Sequence, residues 1–518
     1  MASQYPAIIV LAPMLGSLLV ALFGRRDHRF CVPIVFATLA IGLAAAVGLT
    51  HQVLTRGPVD YFVGGWQEPL GIGIHLRADR LNVFLLVAIL VVCLFVAFSS
   101  IRRIGAEQTE KTPHFYTLFL LLCSGLSGIT ITGDAFNLFV LVEVSSLTSY
   151  GLVAMGSKRR GSFAAFNYLL MGTVGASFYL LGVGYLYLKT GTLNMADIRN
   201  ILAVNEVVAE SRGVTIAFIF IMVGIWIKMA FFPLHGWLPN AYTYSPSSSA
   251  SLIGPLVTKV SVYVMVRMMV SVFGLNWIFT HFGWSDLVVI LAVVAILSGS
   301  ILALAQREIR KMLCYLIVAE VGYMVGGAWV ADPEAWGLTG TLYHILADAA
   351  MTLCLFLAAG IFAKRLGARE IGELDRMFAR APLISVGFII GALAMIGVPP
   401  TCGFFSKFYL IRGGIAGGHW EYVIALLLSS LINAILFFRI FEIAFFGKKP
   451  AEGHGHHDPE PPAPLLQPVY AGPMWTSTFP LLAAAASIIL LGLFNGPIVE
   501  SFREALEGLS PPMGAPTP

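Results

Sequence analysis

Seven ionisable side chains stand inside apolar runs of this chain: Glu143, Lys228, Lys259, Glu320, His344, Asp348 and Lys407. A charge at the centre of a membrane helix costs about 2.5–3.5 kcal/mol on insertion scales, so such residues are expensive to keep without a use. Lys–Glu pairs can serve only to hold helices together. A set spread over so many separate runs points instead to a relay of protonatable groups through a membrane interior. Lysine suits that task. Apolar surroundings favour its neutral form and a carboxylate alongside favours the charged one. Moving a carboxylate such as Glu143 toward or away from a lysine would load or unload its proton.

His344, Asp348 and Thr352 fall at i, i+4 and i+8, on one face of a helix. Two apolar runs carry prolines beside a lysine. GIWIKMAFFPLHGWLP has Pro233 five residues after Lys228, and GALAMIGVPPTCGFFSKFYL has Pro399-Pro400 shortly before Lys407. Proline removes a backbone donor and clashes with the preceding turn. Carbonyls freed inside a membrane are tolerated where they line a wet or protein-walled cavity, and paired broken helices in two halves mark inverted-repeat transporters and their ion paths. Glu143 to Glu320 spans 177 residues and Lys228 to Lys407 spans 179, which predicts such a repeat. It is imperfect, because the two lysines lie on opposite sides of their prolines. Asp134, at a tight turn, and His235, in the first break, are secondary candidates.

These residues must be positioned by helices. Of 518 residues, 58% are hydrophobic and 12% charged, against about 25% charged in soluble domains. A soluble multidomain enzyme and a disordered chain are excluded. So is a nucleic-acid binder, since 32 Lys+Arg face 28 Asp+Glu. About 20 apolar residues make a span, and fourteen are expected: 5–24, 31–53, 81–101, 114–132, 134–156, 163–188, 213–237, 247–273, 285–304, 311–331, 335–363, 382–411, 419–446 and 474–496. The intervening loops then carry 19 basic residues on one side and 8 on the other. The basic side is cytoplasmic by the positive-inside rule, with both termini outward. Arg267 and Arg439, inside spans, are expected to snorkel or to pair with a neighbour such as Glu442. Met1–Gly24 lacks a basic n-region and reads as a retained first helix, not a signal peptide. The six cysteines read as small buried hydrophobes, so no metal or iron–sulfur cluster is expected. His454, His456 and His457 sit in a hydrophilic linker and read as solvated.

The stretches GDAFNLFVLVEVSSLTSYGL, WIKMAFFPLHGWLP, SLIGPLVTKVSVYV and GVPPTCGFFSKFYL closely resemble the antiporter-like subunits of Mrp-type cation/proton antiporters, respiratory complex I and membrane-bound hydrogenases. The similarity runs over residues 80–445, in family order, and the sequence is most similar to the D-type subunits of Mrp complexes. The resemblance implies an all-α fold of about fourteen transmembrane helices with two inverted five-helix units and breaks in helices 7 and 12. It divides the chain into helices 1–3 (1–110), a first repeat (111–273), a second (274–446), a linker (447–473) and a last helix with its tail (474–518). It implies that Glu143 pairs with a lysine, that Lys228 serves the first half-channel, that Lys259 links the halves and that Lys407 faces the exit, with His344 between. Many relatives carry a histidine where Asp348 stands, a lysine where Thr352 stands, and an uncharged residue or histidine where Glu320 stands. The second half here has lost a base and gained carboxylates. Oxygen ligands suit hard cations, so this half handles Na⁺ or couples protons differently, unless that relay is simply crippled.

Three functions follow as expectations. The first is a proton-translocating subunit of a multisubunit Na⁺/H⁺ antiporter in the plasma membrane. The second is a pump module of a complex-I-like or hydrogenase assembly, with the redox chemistry in other subunits, since nothing here is expected to bind a cofactor. The third is a non-conducting scaffold, against which the intact Glu143, Lys228, Lys259 and Lys407 set argues. All three place the chain among other membrane subunits in a lipid bilayer.

Overall fold

The computed structural model describes residues 4–66, 73–101, 111–156, 159–447 and 475–507. The hydrophilic linker with its three histidines and the Pro-rich tail lie outside them. The architecture is helical. Helices α1 (Tyr5–Phe23) and α2 (Cys31–Arg56) lead into an antiparallel hairpin of β1 (Val59–Phe62) and β2 (His75–Ala78), in which Val59 pairs with Ala78. There follow α3 (Val83–Ser100), α4 (Thr112–Ile131), α5 (Ala135–Ala154), α6 (Arg159–Thr190), the short α7 (Met195–Val204), α8 (Arg212–Met229), α9 (Leu238–Tyr244) and α10 (Ser247–Met268). The rest comprises α11 (Ser285–Leu304), α12 (Ile309–Trp329), α13 (Trp336–Ile361), α14 (Pro382–Ile396), α15 (Cys402–Ala416), α16 (Trp420–Phe446), α17 (Trp475–Leu493) and α18 (Asn495–Glu507).

Among the described residues, thirteen helices are long and apolar enough to cross a membrane. They correspond to thirteen of the fourteen expected spans. The fourteenth, 382–411, is two shorter helices, α14 and α15, separated at Gly397–Thr401, where the two prolines forbid a continuous ladder. The span expected over 213–237 likewise stops at Met229 and resumes as α9. Exposed Leu18, Leu22, Phe163 and Leu188 face outward, as lipid requires of a chain with apolar residues on all sides of its helices. The chain is an integral multi-pass membrane protein. The hairpin and α7 belong to connections that carry no span.

The two halves share a neighbour order. Helix α5 lies between α4 and α6, and α8 packs on α6. In the second half α12 lies between α11 and α13, and the α14–α15 pair packs on α13. Five spans separate each element from its counterpart, an odd number, so the second set is inverted relative to the first. Close approach depends on glycine in both. A Cβ on Gly224 would sit 2.6 Å from Gly175 O in the α6–α8 contact, and one on Gly299 would sit 2.7 Å from Ala319 N in the α11–α12 contact. Helix α13 is buried along its whole length and α12 nearly so, which places the second half's polar residues deepest. Helix α10 touches α8, α12 and α13, and so joins the halves.

Arg267 departs from one expectation. Its partner is Asp79, just before α3, which no periodicity argument singles out. Nη1 donates to Asp79 Oδ2 at 2.6 Å, Nη2 to Oδ1 at 3.1 Å, and Nε to Tyr263 Oη at 2.8 Å. This bidentate, buried pair fastens α10 to the start of α3.

Candidate functional site

The first-half site sits where α8 breaks. Ala230, in the left-handed region (φ 60°), ends the helix, and its N–H and that of Phe231 turn back to Ile227 O and Trp226 O. Trp237 Nε1 also donates to Ile227 O at 3.0 Å, so the carbonyls of Trp226 and Ile227 keep partners at the break. Lys228 occupies this last turn, where the helix dipole favours a cation. Its Nζ donates to Glu143 Oε1 of α5 at 3.1 Å and to Ser146 Oγ at 2.8 Å. Glu143 is 27% and Lys228 11% exposed. Ser146 stands three residues after Glu143 on the same face, a signal present in the sequence but overshadowed there by the charged residues.

Lys259, on α10, is fully buried. Its Nζ lies 3.0 Å from Asp348 Oδ2 and donates to Thr352 Oγ1 and to Gly254 O, each at 3.3 Å. Thr352 Oγ1 in turn donates to Asp348 Oδ1 at 2.7 Å. The i, i+4 spacing of Asp348 and Thr352 thus builds one acceptor face for a lysine from the other half.

One turn away on the same face of α13, His344 bridges two elements. Its Nε2 lies 2.6 Å from Glu320 Oε2 on α12 and its Nδ1 2.8 Å from Ser406 Oγ on α15. Ser406 gives its own proton to Gly403 O, so it accepts from His344 Nδ1–H. A contact of 2.6 Å between Nε2 and a carboxylate oxygen then needs one proton between them. Glu320, His344 and Asp348 are all fully buried, and one ligand atom from each lies within 4.8 Å of the others.

Lys407, on α15, is not bonded to Glu320, although Glu320 is the counterpart of Glu143. Its Nζ reaches back across the break to Met395 O at 2.7 Å and Ile396 O at 3.4 Å, the closing carbonyls of α14, and donates to Ser430 Oγ at 3.1 Å. It also lies 5.1 Å from the Tyr323 ring centre. The offset of the two lysines about their prolines is thereby explained. Lys228 stands in the closing turn of its half-helix, and Lys407 reaches the corresponding turn from the far side.

The structure therefore brings together Lys259, Asp348, His344, Glu320 and Thr352, with Ser406 added, and forms a separate pair from Glu143 and Lys228. Two candidates stand apart. Asp134 caps α5, accepting from Asn137 N at 2.6 Å. His235 stacks on Phe232 in the first break, and its Nδ1 has no hydrogen-bond partner.

Helix α10 carries a series of buried hydroxyls from its first turn to the residue before Lys259. Among the described residues Ser248, Ser249, Ser251 and Thr258 have no protein partner, and buried hydroxyls of that kind are satisfied by water. The row begins at a cavity of about 530 Å³ lined by Ser248 and by the charged Arg160, Arg310, Arg369, Glu308 and Glu370.

Residues 132–433 match the family described as NADH:quinone oxidoreductase/Mrp antiporter, transmembrane. The chain is 38% identical over 518 residues to the N subunit of NADH-quinone oxidoreductase from Desulforudis audaxviator (strain MP104C), covering 97% of this chain and 98% of that one. It is 30% identical over 447 residues to the D subunit of the Na(+)/H(+) antiporter from Bacillus subtilis (strain 168), covering 86% and 88%. A chain of the Mrp complex from Dietzia sp. DQ12-45-1b superposes with a TM-score of 0.85 at 25% identity, covering 99% of this chain and 98% of its own.

Proposed function

Because the chain belongs to the NADH:quinone oxidoreductase/Mrp antiporter family, we propose that it is the proton-translocating membrane subunit of a multisubunit Na⁺/H⁺ antiporter. The observation that carries the reading is the sequence of partners across both halves. Glu143 holds Lys228, Lys259 crosses from α10 to Asp348 on α13, His344 stands one turn further on against Glu320, and Lys407 closes the second break. Each lysine lies between a carboxylate, hydroxyl or carbonyl that stabilises its charge and an apolar surround that opposes it. Protons enter from the basic side through the cavity and the hydroxyl row of α10, and the charge state of one lysine biases the next. The basic loops face the cytoplasm, the termini face outward, and the membrane is the plasma membrane. Other membrane subunits pack beside this one.

A second reading has a specific observation in its favour. The relative matched over nearly the whole chain, at the higher identity, is named for a quinone oxidoreductase. On that reading the same relay is driven by redox chemistry held in other subunits. Inverted membrane vesicles carrying the intact complex separate the two. With a preset ΔpH, adding Na⁺, Li⁺ or K⁺ dissipates the gradient in an antiporter, and Lys228→Ala abolishes the response. No response to any of the three cations in an intact complex overturns the antiporter reading in favour of the redox-driven pump.

A further inference from the structure

The proton relay makes no use of one feature of the second half. Glu320 is fully buried, its Oε2 is taken by His344, and its Oε1 has no hydrogen-bond partner among the described residues. An unpartnered carboxylate oxygen in a wholly buried position costs stability unless something positive reaches it. The surroundings are built to receive a cation. Glu320, His344 and Asp348 present ligand atoms within 4.8 Å of one another. The hydroxyl of Ser406 lies 2.8 Å from His344 Nδ1, and that of Thr352 lies 2.7 Å from Asp348 Oδ1. Two of the three clustered ligands, Glu320 and Asp348, offer oxygen, which suits a hard cation better than a soft one.

Charge decides the valence. Of the two carboxylates, Asp348 is paired with an ammonium, Lys259 at 3.0 Å, and Glu320 touches none, because the neighbouring Lys407 gives its protons to Met395 O, Ile396 O and Ser430 Oγ. One negative charge remains, and it is balanced by the one proton between Glu320 and His344. A monovalent cation replaces that proton charge for charge. A divalent ion would leave a net positive charge among fully buried side chains, at a heavy desolvation cost. The first-half site has no such surplus, since Glu143 is matched by Lys228.

We infer that Glu320, Asp348 and His344 form a binding site for a monovalent alkali cation, Na⁺ or Li⁺, in the second half of the protein. The inference rests on the antiporter reading for its physiological meaning, but binding itself does not depend on transport. Ser406 acts as a positioning residue that fixes the imidazole plane from its other nitrogen.

The test is equilibrium binding of ²²Na⁺ to the purified complex at one fixed pH, by scintillation proximity. The wild type is expected to bind Na⁺ and to release it to unlabelled Na⁺ or Li⁺. Glu320→Gln and Asp348→Asn are each expected to weaken this binding by about tenfold or more, since either removes a charged ligand. Lys228→Ala is expected to lose exchange and keep binding, which separates the fate of this site from that of the transport reading. The thermal midpoint of the wild type is also expected to rise in NaCl relative to choline chloride at equal ionic strength, with no need of a substituted protein. Unchanged ²²Na⁺ binding in both carboxylate variants overturns the inference, as does the absence of a Na⁺-dependent midpoint shift. Binding of Zn²⁺ that Na⁺ does not compete away overturns it in favour of a divalent site.

Discussion

The two half-sites use the same kinds of residue in the same fold and arrange them differently. In the first half the glutamate grips the lysine directly, and both remain partly exposed. In the second half the corresponding glutamate has turned to an imidazole, the corresponding lysine has turned to backbone carbonyls, and everything is buried. A duplicated scaffold thus fixes where charge can sit but not how it is compensated. The first site holds one carboxylate against one ammonium, a pair that separates or closes. The second holds two carboxylates, one imidazole and a lysine borrowed from the first half.

Removing Lys228 has the largest expected effect on this contrast. Lys228→Ala removes the ammonium that Glu143 faces, and cation-dependent proton flux is expected to fall by about 10²-fold or more, read as ΔpH dissipation in vesicles. Glu143→Gln keeps the hydrogen bond to Lys228 without the charge and is expected to leave a measurable residual flux. If Glu143→Gln equals Lys228→Ala, the pair acts as a unit and the contrast between the two sites narrows.

Stability separates the halves next. Asp348→Asn leaves Lys259 charged in a wholly buried position. A cost of about 3–5 kcal/mol is expected from breaking one side of a buried pair, seen as a lowered thermal midpoint of the purified complex. Glu143→Gln, in the more exposed pair, is expected to cost about 1 kcal/mol or less. Arg267→Ala provides the structural control. It takes the bidentate partner from Asp79, which keeps only Leu81 N–H and Arg77, and is expected to destabilise, but the cation dependence of the surviving flux should be unaltered. A changed cation dependence would bring the Arg267–Asp79 pair into the relay.

A smaller effect concerns the hydroxyl between Lys259 and Asp348. Thr352→Val keeps the shape and removes two hydrogen bonds. A loss of about 1–2 kcal/mol in stability is expected, with a detectable slowing of flux. The smallest lies outside the membrane, in the β1–β2 hairpin. The hydrogen bond from His75, 2.7 Å away, holds the Asp60 carboxyl below its usual range. A lowered carboxyl contributes stability above its unfolded value and loses it as pH falls through the folded one. The hairpin is therefore expected to loosen only below the ordinary carboxylate range, by less than about 1 kcal/mol because Asp60 is 44% exposed. Amide exchange of Tyr61 and Leu76 reports it, and His75→Ala should remove the acid dependence.

The spans, both broken helices and the identity of every buried charge in the two half-sites were legible, because a lipid environment makes length and charge strong signals. That Glu143 pairs with a lysine came with the family resemblance, and the structure makes that lysine Lys228. What the sequence left open was which group faces which. Lys259 meets Asp348 because α10 is wedged between the halves, a tertiary fact with no periodic trace. Lys407 turns to carbonyls because the proline break exposes them on its side, and Glu320 takes His344 because α12 and α13 bury both. Asp79 was missed since it precedes a span, and Asp134, prominent in the sequence, serves as a helix cap. The β hairpin was invisible because its two strands have only four residues each.

The proposed relay is a single connected one that passes between the halves at Lys259. The direct measurement is proton flux through the reconstituted complex carrying Lys259→Ala, with the Glu143–Lys228 pair and Lys407 intact. Flux falling to the level of Lys228→Ala is the predicted result. Flux within about twofold of the wild type would contradict a connected relay, and would mean that each half conducts on its own.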